Sequence, residues 1–415
     1  MSVSLGVSGA IFFLIAIREW LPSWLKIWHI MVAGAVVLLV SGQISPSKAF
    51  AAINWDVILY LFAVFSIGTA LFHSGISHRI ARHLGKTRSP VRSLVAFLAT
   101  FALLAALLTN DAAAVIGTPI AFILAARTGI TPRVFLIGLC ATVTIGSMAT
   151  PIGNPQNLLI AESGDVPAPV FTFLAWLIVP TIVSLAFVIW WLARSLGDAT
   201  AETSSATVED KTDEQRIWPY ILSFGCLILF VLADSIANVI STSVHVPLGI
   251  AAAVACIPAY LFGDARWQIF RDLDWPTLLF FVAMFIVTGA LIESGSLQAI
   301  LGDLRERMHE LPITATLTFI GSQIFSNVPF VDMYLKLLNQ PDVGNLMMLS
   351  AVSTLAGNVF IISAASNVIV VQQADRLGGE SFTFWQFTRA VLPIGIFSTL
   401  CTVAWILFVE SYFVN

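Results

Sequence analysis

Four clusters of small polar residues interrupt otherwise apolar stretches of the chain. They are Thr109-Asn110-Asp111, Thr150-Pro151-Ile152-Gly153-Asn154-Pro155-Gln156-Asn157, Ser326-Asn327-Val328-Pro329 and Ser363-Ala364-Ala365-Ser366-Asn367. Asn, Ser and Thr favour helix N-caps, and proline suits a first helical turn. Each cluster therefore reads as the start of a half-helix whose free N–H groups and positive dipole end face the break. The preceding half-helix offers free carbonyls. Carbonyl and amide oxygens suit a cation, whereas N–H groups and Asn side chains suit an anion or a neutral hydroxylated solute. The candidate substrate-binding residues are Thr109, Asn110, Gly153, Asn154, Asn157, Ser326, Asn327, Ser363, Ser366 and Asn367.

Asp111 is the sharpest single residue. A carboxylate at mid-membrane costs a few kcal/mol on insertion scales, so it has a task or a partner. It is the candidate coupling-ion residue, with Asn110 and Asn327 beside it, and the ion is a sodium or a proton. Asp332, just past the second tip, is a secondary candidate. Asp234 reads as a structural contact, while Asp56 and Glu293 sit near helix ends, facing water. Every basic residue falls in or near a loop, so the site has no fixed positive charge. The six histidines show no metal spacing, and the patterns HExxH and GxSxG do not occur. No catalytic residue, metal site or organic cofactor is expected. The four cysteines are isolated inside apolar runs and form no disulfide framework.

These residues need a lipid-embedded frame. Hydrophobic residues make up 58% and charged residues 11% of the 415 residues, far from the balance of a soluble domain. Ten spanning helices are expected, at about 3–17, 28–43, 54–74, 134–165, 169–193, 218–240, 246–262, 275–294, 346–374 and 384–411, the two at 134–165 and 346–374 broken in the middle. The stretches 93–126 and 313–338 are split by their polar tips into arms of about 10–16 residues, too short to cross. Both read as re-entrant hairpins, whose tips must be buried in protein or line a wet cavity.

All but Lys48, Arg305, Arg307 and Lys336 of the 20 lysines and arginines fall in loops assigned to the cytoplasm, a strong positive-inside bias. Arg92 and Arg127 bracket the first hairpin, so both its ends are cytoplasmic, and both termini face outside. No basic residue precedes the first apolar run, so no signal peptide is expected.

The acidic stretch 195–216 reads as a cytoplasmic linker between a first repeat, 1–194, and a second, 217–415. Asn54-Trp55 matches Asp274-Trp275, Asn110 matches Asn327, Asn157 matches Asn367, and Phe171-Thr172-Phe173 matches Phe382-Thr383-Phe384. Each half has an odd number of spans, so the second is inverted relative to the first. Inverted repeats with broken helices point to a secondary transporter.

The order of polar-tipped hairpin and broken helix, repeated and inverted, resembles the ion transporter superfamily. That group includes arsenical pump membrane proteins (ArsB), NhaD-type sodium–proton antiporters and citrate/dicarboxylate permeases. Leu108-Thr109-Asn110-Asp111-Ala112-Ala113-Ala114 with Thr118-Pro119-Ile120, and Ser326-Asn327-Val328-Pro329, are similar to the arsenical-pump hairpins. The second broken helix, Ser363 to Asn367, lacks the Gly-Asn-Pro element of the first. The resemblance implies an elevator-type transporter, expected as a homodimer, in the cell membrane.

The expected fold is an all-α polytopic membrane protein. The expected function is secondary transport of a small inorganic anion or metalloid, arsenite or antimonite efflux leading. The alternatives are sodium-coupled citrate or dicarboxylate transport and sodium–proton antiport. The partners are the lipid bilayer and the transported solute, with no nucleic acid. An ATPase subunit is a possible further partner, though the chain itself has no Walker pattern.

Overall fold

The computed structural model describes residues 3–17, 21–22, 24–84, 89–194, 216–240, 247–338, 341–360, 363–377 and 382–414. The linker 195–216, apart from Arg216, lies outside the described residues. The first half runs through α1 (Val3–Ala16), α2 (Ile27–Val40), short α3 (Pro46–Ala52), α4 (Trp55–His73) and short α5 (Ile76–Leu84). It continues through a helical hairpin, α6 (Pro90–Leu107) and α7 (Asn110–Thr128), a broken helix, α8 (Pro132–Ser147) and α9 (Pro155–Ala161), and long α10 (Pro169–Arg194). The second half repeats this order: α11 (Trp218–Val239), α12 (Leu248–Phe262), short α13 (Arg266–Arg271), α14 (Trp275–Glu293) and short α15 (Ser296–Leu301). A hairpin follows, α16 (Leu311–Phe325) and α17 (Asn327–Leu337), then a broken helix, α18 (Val343–Ala356) and α19 (Ala365–Arg376), and long α20 (Phe384–Val409).

The local chemistry repeats with the order. Asn54 caps α4 by accepting from Val57 N, and Asp274 caps α14 by accepting from Thr277 N. Trp55 Nε1 donates to Phe50 O at 3.3 Å, and Trp275 Nε1 donates to Phe270 O at 2.9 Å. Both helices have 19 residues. Both end at a serine followed by glycines with positive φ, Gly75 at 71° and Gly295 at 66°, a conformation that L side chains rarely adopt.

Among the described residues, seven helices are long and apolar enough to cross a membrane, α4, α6, α7, α10, α11, α14 and the one that begins at Phe384. The apolar helices α1, α2, α8, α12, α16 and α18 are shorter. The arms of the first hairpin exceed the expected length: α6 has 18 residues and α7 has 19. The cause lies at the ends. Ser89 caps α6 with Pro90 in its first turn, carrying the helix through Arg92, and α7 continues past Pro119 to a left-handed cap at Gly129. The second hairpin is shorter, with arms of 15 and 11 residues.

The outer helices carry the lipid-facing side chains. Ile178 and Ile182 on α10, Leu229 on α11 and Leu400 on α20 are exposed. The broken helices lie inside. Every residue of α8 from Val134 to Ser147 is buried, as is every residue of α18 from Gly344 to Ala356. Hairpin α6–α7 packs on α8, and hairpin α16–α17 packs on α18. At Gly146 a Cβ would stand 2.2 Å from the Ala102 carbonyl oxygen, so only glycine lets α8 approach α6 this closely.

Contacts between the halves come in matched pairs. α4 packs on α12 and α14 on α2, α7 packs on α19 and α17 on α9, and α10 and α20 pack on each other. Asp56 is not simply solvated as expected: its Oδ2 accepts from Gly249 N at 3.3 Å, beside Glu162 Oε1, which accepts from Leu248 N at 3.3 Å. Glu293 pairs with Lys48 at 3.0 Å in an exposed contact.

Candidate functional site

The first hairpin tip docks on the first broken helix through backbone. Thr109 caps α7, its Oγ1 accepting from Ala112 N at 3.1 Å. Asn110 N donates to Gly153 O at 2.8 Å, and Asn110 Oδ1 accepts from Asp111 N at 2.9 Å. From the other side, Thr150 Oγ1 donates to Ala106 O at 2.6 Å. Gly153 is required by space, because a Cβ there would stand 2.2 Å from Ser147 O.

Asn154 and Asn157 form a clasp between the halves. Asn154 Oδ1 caps α9 through Asn157 N at 2.9 Å. Its Nδ2 donates to Ser147 Oγ and to Thr354 Oγ1 on α18, both at 3.1 Å. Asn157 Nδ2 donates to Ser147 O at 3.1 Å and Thr150 O at 3.0 Å. Its Oδ1 accepts from Ser350 Oγ at 2.8 Å. These two amides are fully engaged with protein. Ser350 and Thr354 escaped the sequence reading, because hydroxyl residues inside an apolar helix do not announce which neighbour they face.

The second hairpin meets the second broken helix. The break opens earlier than expected, at Gly357-Asn358 rather than Ser363, and α19 begins at Ala365. This Gly-Asn pair follows the end of α18, whereas Gly153-Asn154 lead into α9, and Ala364 stands at the N-cap position that Asn154 holds in the first break. Ser326 does not cap α17; it sits at φ 70° with no side-chain bond to the helix. Ser363 Oγ donates to Gln323 Oε1 at 2.7 Å, and Gln323 Nε2 donates to Ala356 O at 3.0 Å. Asn367 Nδ2 donates to Gly357 O at 3.0 Å. Asn327 Nδ2 lies 3.5 Å from the position of a Cβ on Gly357, so Asn327 and Asn367 flank the same glycine.

Among the described residues, buried polar side-chain atoms without a hydrogen-bond partner occur throughout the molecule, and several of them lie at the tips and breaks. Asp111 Oδ1, Asn327 Oδ1, Asn367 Oδ1 and Ser366 Oγ are buried without a hydrogen-bond partner among the described residues. Buried polar atoms in native folds are nearly always satisfied, so each such atom calls for an explanation. Asp111 also lines a cavity of about 570 Å³ between α4, α7, the Arg271–Pro276 segment and α19. The cavity runs from Asp111 and Ala112 past Thr69 and Gln372 to His73, Arg271, Asp272 and Arg376. The exposed Arg271 side chain marks its mouth.

Asp332 differs from Asp111 in having partners. Lys336 Nζ lies 2.7 Å from its Oδ2, and Thr288 Oγ1 on α14 donates to the same oxygen at 2.5 Å. Lys336 lies in the last turn of α17, near a loop as expected, but its ammonium reaches back along the helix to Asp332. The pair sits at i and i+4 of one helix, a spacing that was readable.

Buried polar breaks carried on paired hairpins and broken helices, within a shell of apolar helices, define a multi-pass membrane transporter rather than an enzyme. Comparison with known proteins agrees. The family model described as "Citrate transporter" matches residues 12–344, and the chain belongs to the citrate transporter family, within the ion transporter superfamily. It is 26% identical to "Uncharacterized transporter Rv2685" of Mycobacterium tuberculosis (strain ATCC 25618 / H37Rv) over 381 residues, covering 86% of this chain and 87% of that one. It is 25% identical to "Silicon efflux transporter LSI3" of Oryza sativa subsp. japonica over 447 residues, covering 87% and 88%. A shorter match, 30% over 136 residues, covers 32% of this chain and 24% of "Putative transporter arsB" of Dictyostelium discoideum.

Proposed function

We propose that the protein is a secondary active transporter of a small, neutral, polyhydroxylated metalloid acid, arsenite or antimonite being the leading substrates. One observation carries this reading. The unpartnered buried atoms at the tips include three carboxyl or amide oxygens, Asp111 Oδ1, Asn327 Oδ1 and Asn367 Oδ1. Such acceptors are satisfied by a hydroxyl donor or a cation. A carboxylate substrate would bring mostly acceptors. Arsenous acid is largely a neutral trihydroxide near neutral pH, and each of its hydroxyls can donate. The same chemistry describes silicic acid, and a rice relative is named a silicon efflux transporter. The cavity leading to Asp111 also has carboxylates at Asp111, Asp272 and Asp274 beside Arg271 and Arg376, a wall with no excess of positive charge to favour a polyanion.

In this reading the halves are inverted repeats, and Thr109, Asn110, Gly153, Asn154 and Asn157 build the frame. Asn327, Ser366 and Asn367 hold the solute, and Asp111 takes up the coupling proton or sodium. The matched packing of the halves supports alternating access by movement of hairpins and broken helices against the remaining helices, in an elevator motion and as a homodimer. On the positive-inside assignment, the cavity that reaches Asp111 faces the cytoplasm.

Counterflow in proteoliposomes tests the substrate class. Arsenite and silicic acid are expected to exchange and to compete, with citrate, succinate and sulfate inert. Strong exchange of a dicarboxylate with none of arsenite would overturn the substrate and leave the transporter fold untouched.

A further inference from the structure

Lys336 is unused by the binding reading, yet it is built into the second hairpin. Its Nζ is 2.7 Å from Asp332 Oδ2 and 3.3 Å from Thr288 Oγ1. Thr288 Oγ1 itself donates to that carboxylate at 2.5 Å. Asp332 is 5% exposed, and the Lys336 side chain is 32% exposed. The Phe285 ring lies 5.8 Å from the ammonium. A carboxylate oxygen and a hydroxyl oxygen around a single positive charge are the kind of ligands a hard monovalent cation takes. The ammonium carries that charge on a side chain that cannot leave.

Asp111 has the complementary condition. It is 7% exposed, its Oδ1 has no partner, and among the described residues no ion pair includes it. Setting Asn110 against Asn327 puts Asp332 opposite Val115, one helical turn beyond Asp111 and lining the same cavity. Each hairpin thus carries one carboxylate in the opening turns of its second arm. One holds an ammonium supplied by its own helix, and the other has no ion-pair partner among the described residues.

We propose that Lys336 is a tethered cation that fills the carboxylate site of the second hairpin, leaving Asp111 as the one hairpin carboxylate that exchanges a cation with solution. This rests on the transport role given to Asp111 above, and deepens it by fixing one exchangeable cation per cycle.

The test uses purified full-length protein, with its thermal midpoint measured in sodium chloride against choline chloride at equal ionic strength. An Asp111→Asn background removes the site open to solution. That single variant is expected to be indifferent to sodium. Asp111→Asn with Lys336→Gln vacates the second site and is expected to gain a saturable sodium-dependent rise in midpoint. Adding Asp332→Asn is expected to abolish that gain. Lys336→Arg in the same background keeps a tethered charge and is expected to stay indifferent. Recovery of the Lys336→Gln protein from purification in sodium but not in choline would be the same positive result.

Two results overturn the proposal. One is a folded Asp111→Asn/Lys336→Gln protein with no sodium response. The other is loss of that protein in both salts while the Asp332→Asn/Lys336→Gln combination folds. Neither result touches the transport reading, which is judged separately by whether Asp111→Asn exchanges substrate yet cannot accumulate it against a gradient.

Discussion

Asn157 and Asn367 stand at corresponding breaks and are tied in differently. Asn157 satisfies two carbonyls, of Ser147 and Thr150, and receives the Ser350 hydroxyl. Asn157→Ala would strand those groups in a fully buried place, at about 1–3 kcal/mol for each left unsatisfied. The expected outcome is a large fall in unfolding midpoint in detergent, with reduced yield. Among the described residues the Asn367 side chain makes one bond, to Gly357 O, and its Oδ1 has no partner. Asn367→Ala is expected to weaken substrate binding by about 0.5–1.5 kcal/mol, a few-fold to about tenfold in Kd, with a smaller effect on the midpoint. Equal loss of stability in both variants would contradict this division. At this scale the sequence makes the residue types and their clustering plain, since a polar group inside an apolar run is conspicuous. Which amide is tied into the frame depends on Ser350 and Thr354, half a chain away from Asn157, and no local pattern encodes that.

The helical elements carry their own signals unevenly. The start of α6 is written in Ser89-Pro90, a cap and a first-turn proline, and counting apolar residues from Ser93 alone makes the arm too short. The second break was misplaced because Gly357-Asn358 lacks a following proline, although glycine and asparagine suffice to end a helix. The tip of the second hairpin holds strain that no sequence pattern reveals. Ser326 adopts φ 70° and ψ 156°, a region almost reserved for glycine and costing about 1–3 kcal/mol for other residues. Ser326→Gly removes that cost, and the greater freedom of glycine in the unfolded chain returns about 0.5–1 kcal/mol. The expected result is a modest rise in the unfolding midpoint, together with a looser tip and weaker substrate binding. A drop in midpoint would mean that the Ser326 side chain contributes more than its backbone loses.

Across the whole molecule, the all-helical, membrane-embedded character follows from composition alone, because so few charges cannot cover a soluble surface of this size. The repeated order was legible from pairs such as Asn54-Trp55 and Asp274-Trp275, which cap α4 and α14 in the same way. The short helices α3, α5, α13 and α15 were not, since segments of 6–9 residues give too few turns for a periodicity. Nor was the reciprocal packing, in which α7 meets α19 and α17 meets α9. Each half completes the interior of the other. The hairpins differ in arm length, in the backbone at the tip and in a few side chains, above all Lys336, on an otherwise matched plan.

The enclosure of α8 also bears on how the protein is made. Its residues are buried from Val134 to Ser147, partly by α18 and α19, which are synthesised more than 200 residues later. A ribosome and insertion machinery that have finished the first half hold a helix bearing Thr142, Thr144 and Ser147 that is seated on α6, α7 and α10 but still lacks its contacts with α18, α19 and α20. The rest of its cover arrives only with α18, α19 and α20, so the nascent first half is a natural target for membrane quality control. Residues 1–194 expressed alone are expected to be degraded rapidly, and co-expression of residues 217–415 is expected to restore them as a stable, co-purifying pair. A long-lived first half without its mate would mean that α8 finds another shelter. The gene order thus imposes a waiting period during synthesis, whose length is set by the linker and by α11 to α17.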